Sequence, residues 1–389
     1  MQTNSSTKIP YIAFIDDGIN PYYVQARVAF DNYIVNENGV HLASPVTNVS
    51  HGTVCYKVFS NHVNVPYRLI SLQVLCSETG IGNCKSLLTA LDWCANQEID
   101  LINISMGTQQ YTDFTSIAEK IKNLSNTIIV AACNNQNTLT FPACLPNVIG
   151  VRHYTHNTLK NAFTYFINPY DQIEIFTYAS DMTLTSQDGM SNISSSASNS
   201  FAAPVISARI CQYITEGIKG LKNMRSCLIA DAISEPFIMT RNRYKELFYK
   251  WESPNVPIIA VADDGNLEIV KKMAELVRVM IADGYCAIGL SISYATDISK
   301  LLFQLKWQGG DISSLLDLIV LYYNFTLPDI ILLHMPLSEF YVLPSSMHPD
   351  ALICFPNSVS TVDDWESDKI LNASNNAELL FNQIKEIFV

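Results

Sequence analysis

An acid, an imidazole, an amide and a hydroxyl stand in this chain where each has chemistry open to it. Asp16 closes the apolar run Ile12-Ala13-Phe14-Ile15 and is followed by Asp17-Gly18, and His51 precedes Gly52-Thr53-Val54-Cys55. Asn134 ends Val130-Ala131-Ala132-Cys133, and Ser200 lies in Ser198-Asn199-Ser200-Phe201-Ala202-Ala203-Pro204. A serine hydroxyl is a poor nucleophile until a neutral imidazole takes its proton, and that imidazole needs a carboxylate to fix its tautomer. Asp16, His51 and Ser200 are of the types that supply those roles. Attack on a carbonyl also develops an oxyanion, for which the Asn134 side-chain amide and the Ser200 backbone N–H are candidate donors; losing one such donor costs roughly 3–4 kcal/mol in the transition state. Taken singly the motifs are bland. Asp16-Asp17-Gly18 reads as a turn, His51 as a cap or surface residue, Asn134-Asn135 as a loop, and Ser191–Ser200 as a polar loop ending in a helix cap.

What joins them is where each falls on the elements that must hold it. Short apolar runs separated by helix-like stretches predict a mostly parallel sheet covered by helices. The expected strands are Tyr11–Ile15, Leu69–Val74, Leu101–Ile104, Ile128–Ala132 and Val148–Val151, and the expected helices Cys84–Gln97 and Phe114–Leu124. In open parallel sheets chemistry gathers at the carboxyl ends of strands, which is where Asp16, Asn134 and the small residues of Ser105-Met106-Gly107 fall. His51 and Ser200 are expected at helix starts, with Pro204 near the first turn, where a missing N–H costs little.

The order Asp, His, Asn, Ser with these flanks resembles the subtilase family of serine peptidases, and Phe141-Pro142-Ala143-Cys144-Leu145-Pro146-Asn147-Val148-Ile149-Gly150-Val151 adds a similar proline-containing turn and strand. The resemblance covers about Ile9 to Gly220. It implies an α/β subtilisin-like fold, peptide-bond hydrolysis through an acyl-enzyme, and a peptide or protein substrate lying as an extended strand along Ser105-Met106-Gly107, beside Ala132 and Cys133. Cys55 matches a position where some subtilases carry a buried thiol near the histidine. Three departures stand out. Ser198-Asn199 replaces the usual Gly-Thr before the nucleophile, Val205-Ile206 replaces His-Val after Pro204, and Cys133 stands where glycine is common, predicting a narrowed pocket for small P1 side chains.

Composition bounds the rest. With 389 residues, 48% of them hydrophobic, the chain can bury a large core and is expected to hold two domains. A balance of 24 Lys+Arg against 36 Asp+Glu, with no long basic run, argues against nucleic acid as a partner. No signal-like segment opens the chain and no apolar run reaches the roughly 18 residues of a membrane span, so no membrane association and a cytoplasmic location are expected. The first strand is expected within about ten residues of Met1, so no folding prodomain is expected, as for an intracellular enzyme. The ten cysteines lie mostly in apolar segments and read as reduced core thiols; Cys76 and Cys84, flanking a Gly-rich turn, are the pair with a bridge or metal open to it. The chemistry needs no cofactor, and no metal or calcium site is assigned.

Beyond a domain boundary at 222/223 the chain turns acidic, with 12 Lys+Arg against 21 Asp+Glu from Arg225 onward and 12 against 15 before it. Strands are expected at Asn255–Ala262, Tyr285–Ser293, Asp329–His334 and Ala351–Phe355, and helices at Leu267–Ala282, Ile298–Leu305, Ile312–Tyr323 and Ala377–Phe388, giving a second, smaller α/β domain. Its layout loosely resembles P-loop nucleotide-binding cores, but Asp263-Asp264-Gly265-Asn266 lacks the phosphate-binding glycines and Lys-Ser/Thr pair. A binding or dimerisation role, with a homo-oligomer formed through this domain, is favoured over an NTPase. Three readings stand: a cytosolic processing peptidase such as a leader-peptide protease, a general degradative peptidase, and a pseudoenzyme that binds an extended peptide.

Overall fold

The computed structural model describes residues 8–76, 81–154, 165–167, 173–187, 189, 192–232, 251–262, 268–307, 311–354, 370–372 and 376–388. In the first unit the chain runs through β1 (Tyr11–Asp16), β2 (Ala29–Asn36), β3 (Gly39–Leu42), α1 (His51–His62), β4 (Arg68–Gln73), α2 (Cys84–Ala95), β5 (Leu101–Ile104) and α3 (Phe114–Lys122). It continues through β6 (Ile128–Ala132), β7 (Ile149–His153), β8 (Tyr165–Ile167), β9 (Ile175–Thr177), β10 (Met182–Thr185), β11 (Asn192–Ser195), α4 (Asn199–Thr215) and α5 (Leu221–Asp231). Nine strands form one sheet in the order β3-β2-β4-β1-β5-β6-β7-β9-β8. The inner strands are all parallel; antiparallel β3 and β8 close the two edges. The β2–β3 hairpin and the short strands from β8 to β11 were not expected from the sequence pattern.

Strands buried on both faces read as unbroken apolar runs, and β1 and β6 are of this kind. Alternate residues of a strand point to opposite faces. Ile12, Phe14, Val130 and Ala132 share one buried cluster with Val54 and Phe59 of α1 and Ala202 and Ile206 of α4, while the intervening Ala13, Ile15, Ile129 and Ala131 are equally buried. The order reverses at β1, with β4 on one side and β5 on the other. Such a switch point opens a crevice at the carboxyl ends of the strands, and Asp16 is the last residue of β1.

By its internal contacts the chain divides into two units, Met1–Met239 and Thr240–Val389. Helix α5 belongs with the first unit, because Met224 and Leu228 enter its apolar cluster and Arg225 pairs with Glu174.

The second unit contains β12 (Ile258–Ala262), α6 (Glu268–Ala282), β13 (Ala287–Ser291), β14 (Leu302–Gln304), α7 (Ile312–Thr326), β15 (Ile330–Met335), β16 (Ala351–Cys354), β17 (Ile370–Asn372) and α8 (Ala377–Phe388). Its sheet is ordered β14-β13-β15-β12-β16-β17 and is parallel throughout. The helix expected at Ile298–Leu305 is instead a single 3-10 turn, Ile298–Lys300, followed by β14. Leu301 takes a left-handed φ of 52° that ends the turn, and the buried run Leu301, Leu302, Phe303 then enters the sheet beside β13. A short run buried on every side carries no helical or strand period, so pattern alone does not separate the two. The acidic loop Asp263–Asn266 lies outside the described residues. Among the described residues no helix is long and apolar enough to cross a membrane. None of the ten cysteines is in a disulfide, Cys76 and Cys84 included.

Candidate active site

The turn after β1 is welded to the start of α1. A helix begins with N–H groups that have no partner inside it, and here those of His51, Gly52 and Thr53 each find one. The Asp17 carboxylate accepts from the N–H of His51 at 3.0 Å and of Gly52 at 2.7 Å, and Ser50 Oγ accepts from Thr53 N–H at 3.0 Å. Ser50 Oγ also donates to the Gly18 carbonyl at 2.6 Å, and Asn20 N–H donates to Thr53 Oγ1 at 2.9 Å. The two segments approach closely: a Cβ at Gly52 would lie 2.6 Å from the Gly18 oxygen. This close seat brings the buried Asp16 carboxylate to His51 Nδ1, at 2.8 Å from Oδ1 and 3.0 Å from Oδ2.

His51 Nε2 lies 2.8 Å from Ser200 Oγ, so the three residues brought forward from the sequence form one hydrogen-bonded chain. The imidazole stacks on Phe201, ring centroids 5.3 Å apart and planes at 27°. Asp17, read from the sequence only as a turn residue, caps α1 together with Ser50; burial and then the neighbouring Asp16 charge push its carboxyl above the usual range, against the pull of the two N–H donors. His51 is shifted upward by Cys55 in its ionised form and by Asp16, with burial opposing. Burial in turn holds the Cys55 thiol up, so at neutral pH the Asp16 carboxylate is the partner that favours the imidazolium.

Ser200 sits in the first turn of α4. The Asn199 N–H goes to Asn135 Oδ1 at 3.1 Å and the Phe201 N–H to the Ser198 carbonyl at 3.1 Å; the Ser200 N–H has no acceptor within a first turn. Ser198 Oγ is 2.7 Å from Ser200 Oγ. When His51 is neutral and takes the one Ser200 proton, Ser198 is the donor of that pair. Pro204 lies inside α4, deeper than expected, and its missing N–H is the one that would reach the Ser200 carbonyl. Cys55 Sγ takes its place, donating to that carbonyl at 3.6 Å.

The loop after β6 carries Asn134. Its Oδ1 accepts from the N–H groups of Gln136 at 3.0 Å and Thr138 at 3.1 Å, and one hydrogen of Nδ2 goes to Thr138 Oγ1 at 2.7 Å. An amide nitrogen has a second hydrogen to give. The loop is tied down by Arg152, which is fully buried and donates to the Asn137 carbonyl at 3.1 Å; sequence reasoning had no signal for this residue. Asn134, Ser200 and His51 border one cleft of about 380 Å³, together with Ser105, Met106, Gly107, Ala132 and Cys133. The ladder of β5 ends at Ile104, just before residues 105–107. Cys133 lines the cleft, with its thiol donating to the Thr138 carbonyl at 3.3 Å.

As to metal, Asp16, His51 and Cys55 hold three ligand atoms within 4.8 Å of one another. The 2.8 Å between Nδ1 and Oδ1 is a proton's distance; tetrahedral zinc would spread two such ligands to roughly 3.3 Å. The arrangement suits proton transfer, from a hydroxyl to an imidazole steadied by a carboxylate, beside two N–H donors.

A model of the subtilase family matches residues 8–223. The chain is 26% identical over 168 residues to subtilisin DY of Bacillus licheniformis, which takes in 39% of this chain and 59% of that relative's length. Similar solved structures include a cold adapted subtilisin-like serine proteinase, with TM-score 0.42 and 20% identity over 57% of this chain and 82% of that one. Another is the prenylagaramide maturation protease PagA, with TM-score 0.42 and 21% identity over 54% of this chain and 78% of that one.

Proposed function

Because this chain belongs to the subtilase family, we propose that its first unit is a serine endopeptidase with Asp16, His51 and Ser200 as catalytic triad. The observation that carries the reading is the hydrogen-bonded chain from Asp16 through His51 to Ser200 at the edge of the cleft. Ser200 Oγ attacks the scissile carbonyl carbon while its proton passes to His51 Nε2, and Asp16 holds the Nδ1 proton and the resulting imidazolium. The oxyanion is met by the Ser200 N–H and the second Nδ2 hydrogen of Asn134. His51 then protonates the leaving amine, and water, activated by the same base, releases the acyl group from Ser200.

The substrate lies extended along Ser105–Gly107, with its P1 side chain beside Ala132 and Cys133. In the finer reading this is a cytoplasmic processing peptidase that removes a leader or matures a specific precursor. The acidic second unit then recruits that substrate or pairs protomers. A peptide-binding pseudoenzyme is the second reading, favoured by Ser198 Oγ standing on the nucleophile.

Intact-mass spectrometry after treatment with a fluorophosphonate decides between them. The expected result is a single adduct on wild type and none on Ser200→Ala, followed by cleavage of peptides with small P1 residues. No adduct on folded wild type overturns the peptidase reading in favour of the pseudoenzyme. Cleavage of many unrelated sequences at similar rates overturns the processing role in favour of general degradation.

A further inference from the structure

The two proposed oxyanion donors come from different segments, Ser200 N–H from the first turn of α4 and Asn134 Nδ2 from the loop after β6. Their separation is set by whatever ties those segments together. Donors must sit about 2.7–3.1 Å from the oxygen they stabilise, and a site loosens once they stray beyond roughly 0.5 Å.

Asn199 is that tie. It is 5% exposed, and its Nδ2 donates to the Asn134 carbonyl at 2.5 Å and to Asn137 Oδ1 at 2.8 Å. Its Oδ1 accepts from His153 N–H at the end of β7, at 2.7 Å, and its own N–H returns to Asn135 at 3.1 Å. Both amide hydrogens are therefore used, and a buried, well-satisfied polar network of this kind is rigid. The carbonyl it grips belongs to the same residue whose side chain supplies the donor. Threonine, usual here in the family that the sequence resembles, has a single hydroxyl proton and cannot make both Nδ2 bonds.

We propose that Asn199 is a positioning residue for the oxyanion site, holding Asn134 at working distance from the Ser200 N–H; this rests on the peptidase reading above. It touches no substrate and acts through Asn134. The Ser198-Asn199 departure from Gly-Thr is thereby given a task at its second residue.

The test measures kcat and KM for one peptide substrate, and Ki for the peptide aldehyde of the same sequence, in wild type and in Asn199→Ala, Asn199→Asp and Asn199→Thr. The aldehyde adds to Ser200 Oγ as a hemiacetal whose oxygen occupies the oxyanion site. A fall in kcat of about 10- to 100-fold is expected, short of the roughly 10²–10³ for deleting a donor outright. KM should stay within about twofold, and Ki should rise in step with the fall in kcat/KM. Placed on Asn134→Ala, Asn199→Ala should cost nothing more, since its target is gone. Should Asn199→Ala fail to fold, Asn137→Gly keeps the left-handed backbone at that position (φ 62°) while removing one acceptor, and a smaller loss of the same kind is expected. Independent, multiplying losses in the double variant, or a change in KM alone, overturn the proposal. With wild type active and labelled at Ser200, unaffected Asn199 variants sink this proposal only; a wild type that neither turns over nor takes the adduct sinks the peptidase reading and this proposal with it.

Discussion

Replacing Gly52 by alanine tests whether close approach of two backbone segments sets the Asp16–His51 geometry. The added Cβ would lie 2.6 Å from the Gly18 oxygen, 3.0 Å from Asp16 Cβ and 3.1 Å from Asp17 Oδ1. An ordinary carbon–oxygen contact is about 3.3 Å, so the turn or the helix has to back away by about 0.7 Å. The Gly18 oxygen is main chain and is itself held by Ser50 Oγ, so no flexible side chain absorbs the change. The displacement falls between Asp16 and His51, where a 2.8 Å hydrogen bond stretched by that amount reaches about 3.5 Å, beyond a useful bond. Overpacking of this kind costs about 1–3 kcal/mol of stability, and misplacement approaching 1 Å costs roughly 10²-fold in rate. The measurements are kcat/KM on a peptide substrate and a thermal denaturation curve on the same preparation. A Gly52→Ala protein with both within error of wild type would refute the reasoning, because the turn would then have yielded without disturbing Asp16.

Three further outcomes are expected. His51 must be neutral to act as base, and its pKa is shifted upward, so kcat/KM should rise with pH through a limb above 6.5; Asp16→Asn should move that limb down and lower the plateau roughly 10⁴-fold. An unmoved limb in the pH profile would count against the Asp16 contact. Cys55→Ala removes the donor on the Ser200 carbonyl and should cost about 1–3 kcal/mol in denaturant unfolding, while Pro204→Ala, which restores an N–H there, should recover part of the loss in the double variant. Strict additivity of the two would show that Cys55 and Pro204 do not share that carbonyl. Leu228→Ala in α5, where the side chain is 1% exposed, should destabilise the first unit by about 2–5 kcal/mol; a change under 0.5 kcal/mol in its unfolding transition would place α5 outside the first unit's core.

The residues legible in the sequence are those whose role is announced locally. A strand ending on Asp16 and a glycine, a histidine opening an apolar helix, and Ser200 opening the stretch that becomes α4 each carry their own signal, and these lie together in one hydrogen-bonded chain. Roles that depend on a partner far along the chain were silent. Asp17 looked like half of a turn until α1 arrived to be capped by it. Arg152 falls just past the expected strand Val148–Val151 and carried no signal, and it donates to a carbonyl in the preceding loop. Phe201 read as one apolar helix residue among several, while its ring supports His51. In the second unit the error at 298–305 had the same origin, since the neighbour β13 that makes Leu302–Gln304 a strand is not visible from the run itself.

The residues that depart from the family pattern bear on whether the site still works. A site released from catalysis would be expected to collect buried polar groups without partners, because nothing would select against them locally beyond their cost to folding, about 1–3 kcal/mol each. Here the departures are bonded into the machinery. Asn199 bridges the nucleophile's helix to the loop of Asn134, and the Cys133 thiol is held by the Thr138 carbonyl. Asp17 keeps its place although burial and the Asp16 charge both work against its ionised form. A carboxyl kept there, in contact with the helix start that carries His51, is accounted for by positioning that helix start. On the peptidase reading this favours catalysis over a pseudoenzyme, and the proposed difference from other subtilases lies in how the donors are held rather than in which groups react.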